Sequence, residues 1–188
     1  MVLRRVLMIV LSLALVGAVS ACGNKQAKNL TAETEGPYVD LGDLKYQVQI
    51  SRQLNPASVE DRNYLIGLNA NDRRLPVGQE WFAVFVRVEN DGDKPARAAT
   101  DYLITDTQGN RYRPLGFAPV NVFAYRGGGV MQPTEILPKP DSPSGQGSIQ
   151  GALLLFKIPT RNLENRPLEL SIRTPAAPGK VATVDLDV

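Results

Sequence analysis

The chain has 188 residues, of which 43% are hydrophobic, 21% are charged and none is histidine. The lack of histidine excludes Ser/His/Asp triads, Cys/His dyads and His-based zinc sites, and a single cysteine excludes an internal disulfide and a thiolate zinc cage. Outside residues 1–21, 19 basic residues balance 19 acidic residues. This neutral balance argues against nucleic acid as a partner.

The first 22 residues follow the order of a bacterial lipoprotein signal. Arg4 and Arg5 precede an apolar run from Val6 to Val19, which has the length of a signal-peptide core and is shorter than the roughly 20 residues of a membrane-spanning helix. The run ends in Val-Ser-Ala-Cys22, which resembles a lipobox. The resemblance implies that residues 1–21 are removed as a signal peptide. It also implies that Cys22 carries palmitate-type acyl chains and anchors the protein to the membrane, on the extracytoplasmic face of the bacterial cell envelope. The alternative is an uncleaved anchor with an incidental cysteine.

Behind the anchor, residues 22–37 are polar and show no sustained hydrophobic period. This composition predicts a flexible tether, followed by a folded domain over residues 38–188. In that domain, apolar and polar residues alternate with a period of two between turns rich in Gly, Pro, Asn and Asp. The pattern predicts strands over Leu44–Ser51, Tyr64–Leu68, Trp81–Glu89, Tyr102–Thr105, Arg111–Arg113, Ser148–Ile158, Leu168–Thr174 and Val181–Val188.

The strand from Trp81 to Glu89 is largely apolar on both faces in its first half, which predicts a central position in a sheet. No segment has the period of an amphipathic helix. The sequence therefore predicts an all-β protein, built as an antiparallel β-sandwich of seven to eight strands.

Five segments also resemble a known family: Gly42–Val48, Leu75–Gly92, Asp106–Tyr112, Gly151–Pro159 and Leu168–Ile172. In their order and turn patterns they are similar to the telokin-like, immunoglobulin-like domain of unknown function that is common in bacterial lipoproteins. The resemblance implies an immunoglobulin-like sandwich with extracytoplasmic exposure. It supplies no catalytic residue.

A long connection from Leu115 to Gly147 departs from that family pattern. Loops of this length are uncommon in compact domains and are often functional, which makes this connection a candidate recognition loop. The other interpretation, which we favour, is that residues 120–125 form an extra edge strand and the aromatic side chains pack beneath the loop. The candidate recognition residues are Phe117, Phe123, Tyr125, Arg126 and Met131.

Four acidic residues near turns, Asp91, Asp93, Asp101 and Asp106, do not have the spacing of a calcium loop. Aspartates at turns hydrogen-bond their own backbone, so we interpret them as turn-forming residues. Trp81 could stack against a carbohydrate or pack in the core. The apolar alternation around it favours a core residue. No metal or cofactor is expected.

These observations favour a non-enzymatic, lipid-anchored extracytoplasmic protein that binds an envelope protein or glycan. Two alternatives remain open at this point. One is an envelope hydrolase that uses a pair of carboxylates, because the separation of such a pair is a spatial property. The other is a purely structural envelope protein.

Overall fold

Twelve strand segments lie within residues 28–186, the part of the chain that the computed structural model describes. The strands are β1 (Thr31–Ala32), β2 (Tyr38–Leu41), β3 (Leu44–Leu54), β4 (Gln79–Asn90), β5 (Ala96–Arg97), β6 (Asp101–Thr105), β7 (Arg111–Tyr112), β8 (Val130–Met131), β9 (Ile136–Leu137), β10 (Ala152–Pro159), β11 (Leu168–Arg173) and β12 (Ala182–Leu186). The helices are α1 (Val59–Tyr64), α2 (Pro143–Gln146) and a 3₁₀ helix (Thr160–Glu164).

The strands form two five-stranded sheets and one small pair. The first sheet has the order β1-β12-β11-β6-β7, and the second has the order β10-β4-β3-β2 with β9 also paired to β4. Strands β5 and β8 form the separate pair. All pairings are antiparallel except that of β1 with β12. Seven of the described strands have four or more residues, and the predicted all-β sandwich is confirmed.

The main core lies between the two sheets and follows from the period of two along each strand. Phe82, Val84 and Val86 of β4 face this core, as do Leu170 and Ile172 of β11. All five side chains are buried. Removing a side chain of this size from water stabilises the fold by about 1.5–3 kcal/mol.

A second core covers the outer face of the second sheet. The alternate residues of β4, Trp81, Ala83 and Phe85, lie here with Leu153 and Leu155 of β10. The prediction that β4 is a central strand with two apolar faces is therefore confirmed, and Trp81 is a core residue. Two connections cover this face and contribute the following packed side chains: Tyr64, Leu65, Leu68 and Leu75 from the first, and Leu115, Phe117, Phe123 and Ile149 from the second.

The predicted strand from Tyr64 to Leu68 is wrong, because Tyr64 is the last residue of helix α1. Tyr64 and Leu68 are four residues apart, and this spacing suits one helical face as well as one strand face. The buried carboxylate of Asp61 fixes α1 to β3. It accepts hydrogen bonds from both terminal nitrogens of Arg52, at 3.0 and 2.5 Å, and from the Asn55 amide at 2.7 Å. The Arg52 guanidinium holds the pKa of Asp61 below its usual value.

Part of the segment predicted as a tether, residues 22–37, packs on the domain. Thr31–Ala32 is strand β1 and pairs with Thr183 and Val184 of β12, and the Asn29 amide donates to the carboxylate of Asp40 at 2.8 Å. Ala32 is buried in the main core, which explains why this polar segment folds onto the sandwich. The predicted signal peptide and Cys22 lie outside the described residues. Within residues 28–186, no helix is both long enough and apolar enough to cross a membrane.

The connection from 115 to 147 is also not a free loop. It contains β8, β9 and α2, and Ala124 forms an isolated parallel bridge with Leu153 of β10. The predicted alternative, an extra edge strand over residues 120–125, is not formed as a strand. Only the single bridge at Ala124 corresponds to it. Hydrogen bonds to β10 flank the bridge: the Leu153 amide donates to the Phe123 carbonyl, and the Tyr125 amide donates to the Leu153 carbonyl, both at 2.8 Å.

Candidate functional site

The segment that carries the predicted recognition residues is held to the sandwich by Asn121. This side chain is buried, and its amide nitrogen donates to the carbonyl oxygens of Tyr64 at 3.0 Å and Ile66 at 2.7 Å. Its amide oxygen accepts from the backbone amides of Phe123 at 2.9 Å and Ala124 at 3.0 Å. One side chain thus satisfies four backbone groups and joins the segment to the end of α1.

Arg126 closes the segment on itself. Its Nη1 atom donates to the Phe117 carbonyl at 3.0 Å, and its Nη2 atom donates to the carbonyls of Ala118 at 2.7 Å and Asn121 at 3.4 Å. The planar guanidinium matches several acceptors at once, which suits it to fixing a turn. Arg126 therefore has a structural role in addition to the recognition role predicted for it.

Two tyrosines hydrogen-bond the backbone of Ala99, and a third packs against one of them. The Ala99 amide donates to the Tyr46 hydroxyl at 2.9 Å, and the Tyr125 hydroxyl donates to the Ala99 carbonyl at 2.9 Å. The rings of Tyr102 and Tyr125 meet edge to face, with centroids 5.1 Å apart. The chain bends around this group at Gly127, where a Cβ atom would lie 2.1 Å from the Ala99 carbonyl oxygen.

Burial raises the pKa of each of these phenols, because a phenolate is poorly solvated inside the protein. The pKa of Tyr46 rises to about 12, and the pKa values of Tyr102 and Tyr125 are also raised. The tyrosines are therefore neutral at physiological pH. They do not provide a phenolate base.

A cleft of about 290 Å³ opens between the tyrosine group and the segment, and we call it the aromatic cleft. No carboxylate lines it among the described residues, and its polar groups are hydroxyls, backbone and one guanidinium. Its lining consists of Thr100, Tyr102, Pro114, Leu115, Gly116, Phe117, Tyr125, Arg126, Gly127, Leu153 and Leu154.

The structure separates the five predicted recognition residues. Phe117, Tyr125 and Arg126 line the aromatic cleft. Phe123 packs in the second core, with its ring centroid 5.0 Å from that of Tyr64. Met131 is 4% exposed and belongs to the main core, so its prediction as a recognition residue is corrected. The alternative that aromatic side chains pack beneath the segment accounts for Phe123.

Sequence reasoning missed the residues that build the cleft. Tyr102 lies in a strand, where its contribution to a cleft depends on pairing that the sequence does not show. Asn121 looks like one polar residue among several in a connection. Gly127 begins a run of three glycines, and this run was the available signal of a close backbone approach.

The fold places the chain among β-sandwich proteins. The chain is similar to the yjhA protein from Bacillus subtilis, with a TM-score of 0.50 and 13% identity over 82% of this chain and 99% of that one. An uncharacterized β-sandwich protein from Clostridium difficile matches with a TM-score of 0.45 and 11% identity, over 87% of this chain and 99% of that one. At 13% identity, the likeness to yjhA shows the fold alone.

A candidate lipoprotein of Bacillus subtilis, ycdA, matches with a TM-score of 0.48 and 13% identity, over 83% of this chain and 39% of that protein. No model of a protein family matches the chain, and no curated protein matches it. These structural neighbours are bacterial proteins, one of which is described as a β-sandwich protein. The resemblance to the telokin-like family stays an expectation from sequence.

Proposed function

We propose that this protein is a lipid-anchored, extracytoplasmic binding module that holds an envelope protein or glycan at the aromatic cleft. The observation that carries the proposal is a cleft whose wall is fixed before any ligand arrives, by the bonds of Asn121 and Arg126. A fixed wall lowers the entropy lost on binding. Its aromatic rings and scattered hydroxyls are the usual lining of a recognition site.

The size of the cleft limits what it receives. A volume of about 290 Å³ is just below the range for ligand pockets, which begins at about 300 Å³. It therefore suits one large side chain of a partner protein or one sugar ring. Phe117 and Tyr125 offer ring surface, which is the surface that aromatic side chains and sugar faces contact.

The lipobox supports the anchored, extracytoplasmic part of the proposal, because Cys22 is the position that a lipid would modify. The structure shortens the reach of such an anchor. Lys28 already lies at the domain, where it forms an ion pair with Asp43 at 3.6 Å. The six residue-to-residue steps from Cys22 to Lys28 span at most about 22 Å when fully extended. We therefore place the partner close to the membrane.

A non-enzymatic role is part of the same proposal, and the lining of the cleft supports it. General acid-base chemistry needs a group with a pKa near the working pH, and the cleft offers neutral tyrosines and an arginine. A different, shallow cleft of about 130 Å³ does contain Asp40, Asp43 and Asp91. Asp43 and Asp91 there pair with Lys28 and Lys45, and Asp40 accepts the Asn29 amide, which is the arrangement of a structural network.

Site-specific photocrosslinking in intact cells tests the proposal. A photoreactive phenylalanine analogue replaces Thr100 or Gly116, two exposed residues that line the cleft. The control position is Gln108, an exposed residue in the turn between β6 and β7. We expect a protein or glycan adduct from Thr100 and Gly116 and none from Gln108.

Adducts that are equal at all three positions, or absent at Thr100 and Gly116, would contradict the proposal. Deleting residues 117–145 would be a poor test by comparison. The deletion removes Phe123 from the second core and Met131 from the main core, so lost binding could not be told from lost folding.

A further inference from the structure

A second cleft lies where the pairing of strand β4 is interrupted. Strand β10 pairs with β4 from Gln79 to Val86, and β9 pairs with Val88 and Glu89. On this side Arg87 lies between the two partners. The chain leaves the sheet after β9, passes through α2 and returns at β10, and a cleft of about 480 Å³ opens beside Arg87.

Arg87 is held in place from the sheet. Its Nε atom donates to Glu89 Oε1 at 2.8 Å, and the same oxygen accepts the Tyr38 hydroxyl at 2.7 Å. Tyr38, Gln47 and Arg87 pair in register across β2, β3 and β4. The bond to Glu89 uses Nε and makes no use of the two terminal Nη nitrogens. The Arg87 side chain is 27% exposed, so these donors are partly shielded from water.

The rest of the cleft is both polar and apolar. Gln146 and Gln150 bring side-chain amides, and Ile136, Pro138 and Pro140 bring apolar walls. Terminal guanidinium nitrogens bind a carboxylate through two parallel hydrogen bonds. Amide side chains pair in turn with amide groups of a ligand. The volume lies in the range of small-ligand pockets.

We propose that this cleft binds a small, amide-bearing carboxylate, with the carboxylate on Arg87 and the amide on Gln146 and Gln150. The site is distinct from the aromatic cleft. Glu89 already offsets one positive charge, which favours a monoanion over a phosphate that carries two charges. Two sources offer the required chemistry: a peptide with a free carboxyl terminus, and an N-acyl sugar acid.

Calorimetric titration of the purified full chain in detergent tests this proposal with two matched pairs of probes. Acetyl-alanyl-alanine is compared with its C-terminal amide, and N-acetylmuramic acid is compared with its methyl ester. We expect at least one acid to bind at least about tenfold more tightly than its neutral counterpart, as the loss of a charged hydrogen bond predicts. The acid that binds identifies the source, and binding of both acids supports the shared carboxylate chemistry.

Variants locate the binding. Arg87→Gln is expected to weaken binding of the acid at least about tenfold. Gln150→Ala, at an exposed side chain, is expected to weaken it about threefold through a lost neutral hydrogen bond. Arg113→Gln is the control, because Arg113 is 68% exposed and does not line the cleft. If Arg87→Gln does not fold, Gln150→Ala and the neutral probes decide the outcome. The proposal is overturned if neither acid binds, if acid and neutral probes bind equally, or if folded Arg87→Gln binds as the parent does.

Discussion

Asp106 shows how one carboxylate organises a turn and links it to a distant part of the chain. It is buried in the hairpin between β6 and β7, where it accepts from the backbone amide and the side chain of Asn110, both at 2.9 Å. It also accepts the Tyr112 hydroxyl at 3.0 Å and the Asn165 side chain at 3.1 Å. The interpretation of Asp106 as a turn-forming residue is confirmed.

This network makes stability depend on pH. Burial alone would raise the pKa of Asp106, but hydrogen bonds from Asn110, Asn165 and Tyr112 outweigh it and lower the pKa from 3.8 to about 2. A lowered pKa stabilises the fold fully above about pH 4, and the stabilisation disappears as the pH falls through about 2. We therefore expect Asp106→Asn to lose about 2 kcal/mol of unfolding free energy at neutral pH. At about pH 2, we expect the difference in unfolding free energy between the parent and the variant to be smaller by about 2 kcal/mol.

Urea unfolding of the parent and the variant at the two pH values measures this effect. Asp101→Asn is the matched control, because Asp101 pairs with Arg113 at an exposed position and such pairs contribute under about 1 kcal/mol. A stability difference for Asp106→Asn that does not change with pH would contradict the account.

A substitution at Gly127 tests whether the backbone there lies close to Ala99, beneath the aromatic cleft. A methyl group at this position would meet the Ala99 carbonyl and the Tyr125 ring, whereas nothing lies within 4 Å of a Cβ at Gly129. We expect Gly127→Ala to cost about 3 kcal/mol of unfolding free energy through overpacking. Gly129→Ala is expected to change stability by less than about 1 kcal/mol. Equal effects in thermal or urea unfolding would show that the chain does not pass Ala99 as described.

Among the elements, the segment that carries Asn121 depends most on a single side chain. Asn121→Ala leaves four backbone groups without their partners, two of them the carbonyls of Tyr64 and Ile66. Unsatisfied buried groups cost about 1–3 kcal/mol each, and some relax towards water, so we expect a total loss of about 3 kcal/mol. Val122→Ala is the neighbouring control, because Val122 is exposed. Urea unfolding measures the unfolding free energy of both variants. If Asn121→Ala lost as little as the control does, Asn121 would not hold the segment as described.

Sequence patterns predict the strands of the sandwich because each strand carries its own signal. Strand β4 has two apolar faces, and the predicted Trp81–Glu89 lies within the observed Gln79–Asn90. Helix α1 is different, because six residues are too few to show a helical period. Its position depends on Arg52, which lies in another element. Short strands such as β1 and β9 likewise exist only through their partners.

The candidate site is predictable in composition and not in geometry. The aromatic side chains of the 115–147 connection mark it as unusual, and Phe117 and Tyr125 do line a cleft. Phe123 and Met131 lie in the same connection, yet they pack in two different cores. Only the fold decides this, because the second sheet has an apolar outer face that the connection must cover.

At the scale of the whole molecule, the proposed lipid anchor at Cys22 makes a prediction that can be measured in cells. We expect the mature chain to incorporate radiolabelled palmitate and to sediment with membranes. We expect Cys22→Ala to lose both properties, because Cys22 is the residue that we propose carries the acyl chains. Ser20→Ala is the control, since it keeps the small residues of the lipobox. Membrane association that survives unchanged in Cys22→Ala without label would exclude the lipid anchor.

The central claim is that residues 115–127 form the fixed wall of a cleft. Hydrogen exchange of the full chain, followed by mass spectrometry, tests it most directly. The amides of Leu115 and Tyr125 donate to β10 carbonyls at 2.7 and 2.8 Å, so they exchange only when the structure opens. We expect this segment to exchange at least about a thousandfold more slowly than an unstructured peptide. Exchange at the unstructured rate would show a free loop and would contradict the claim.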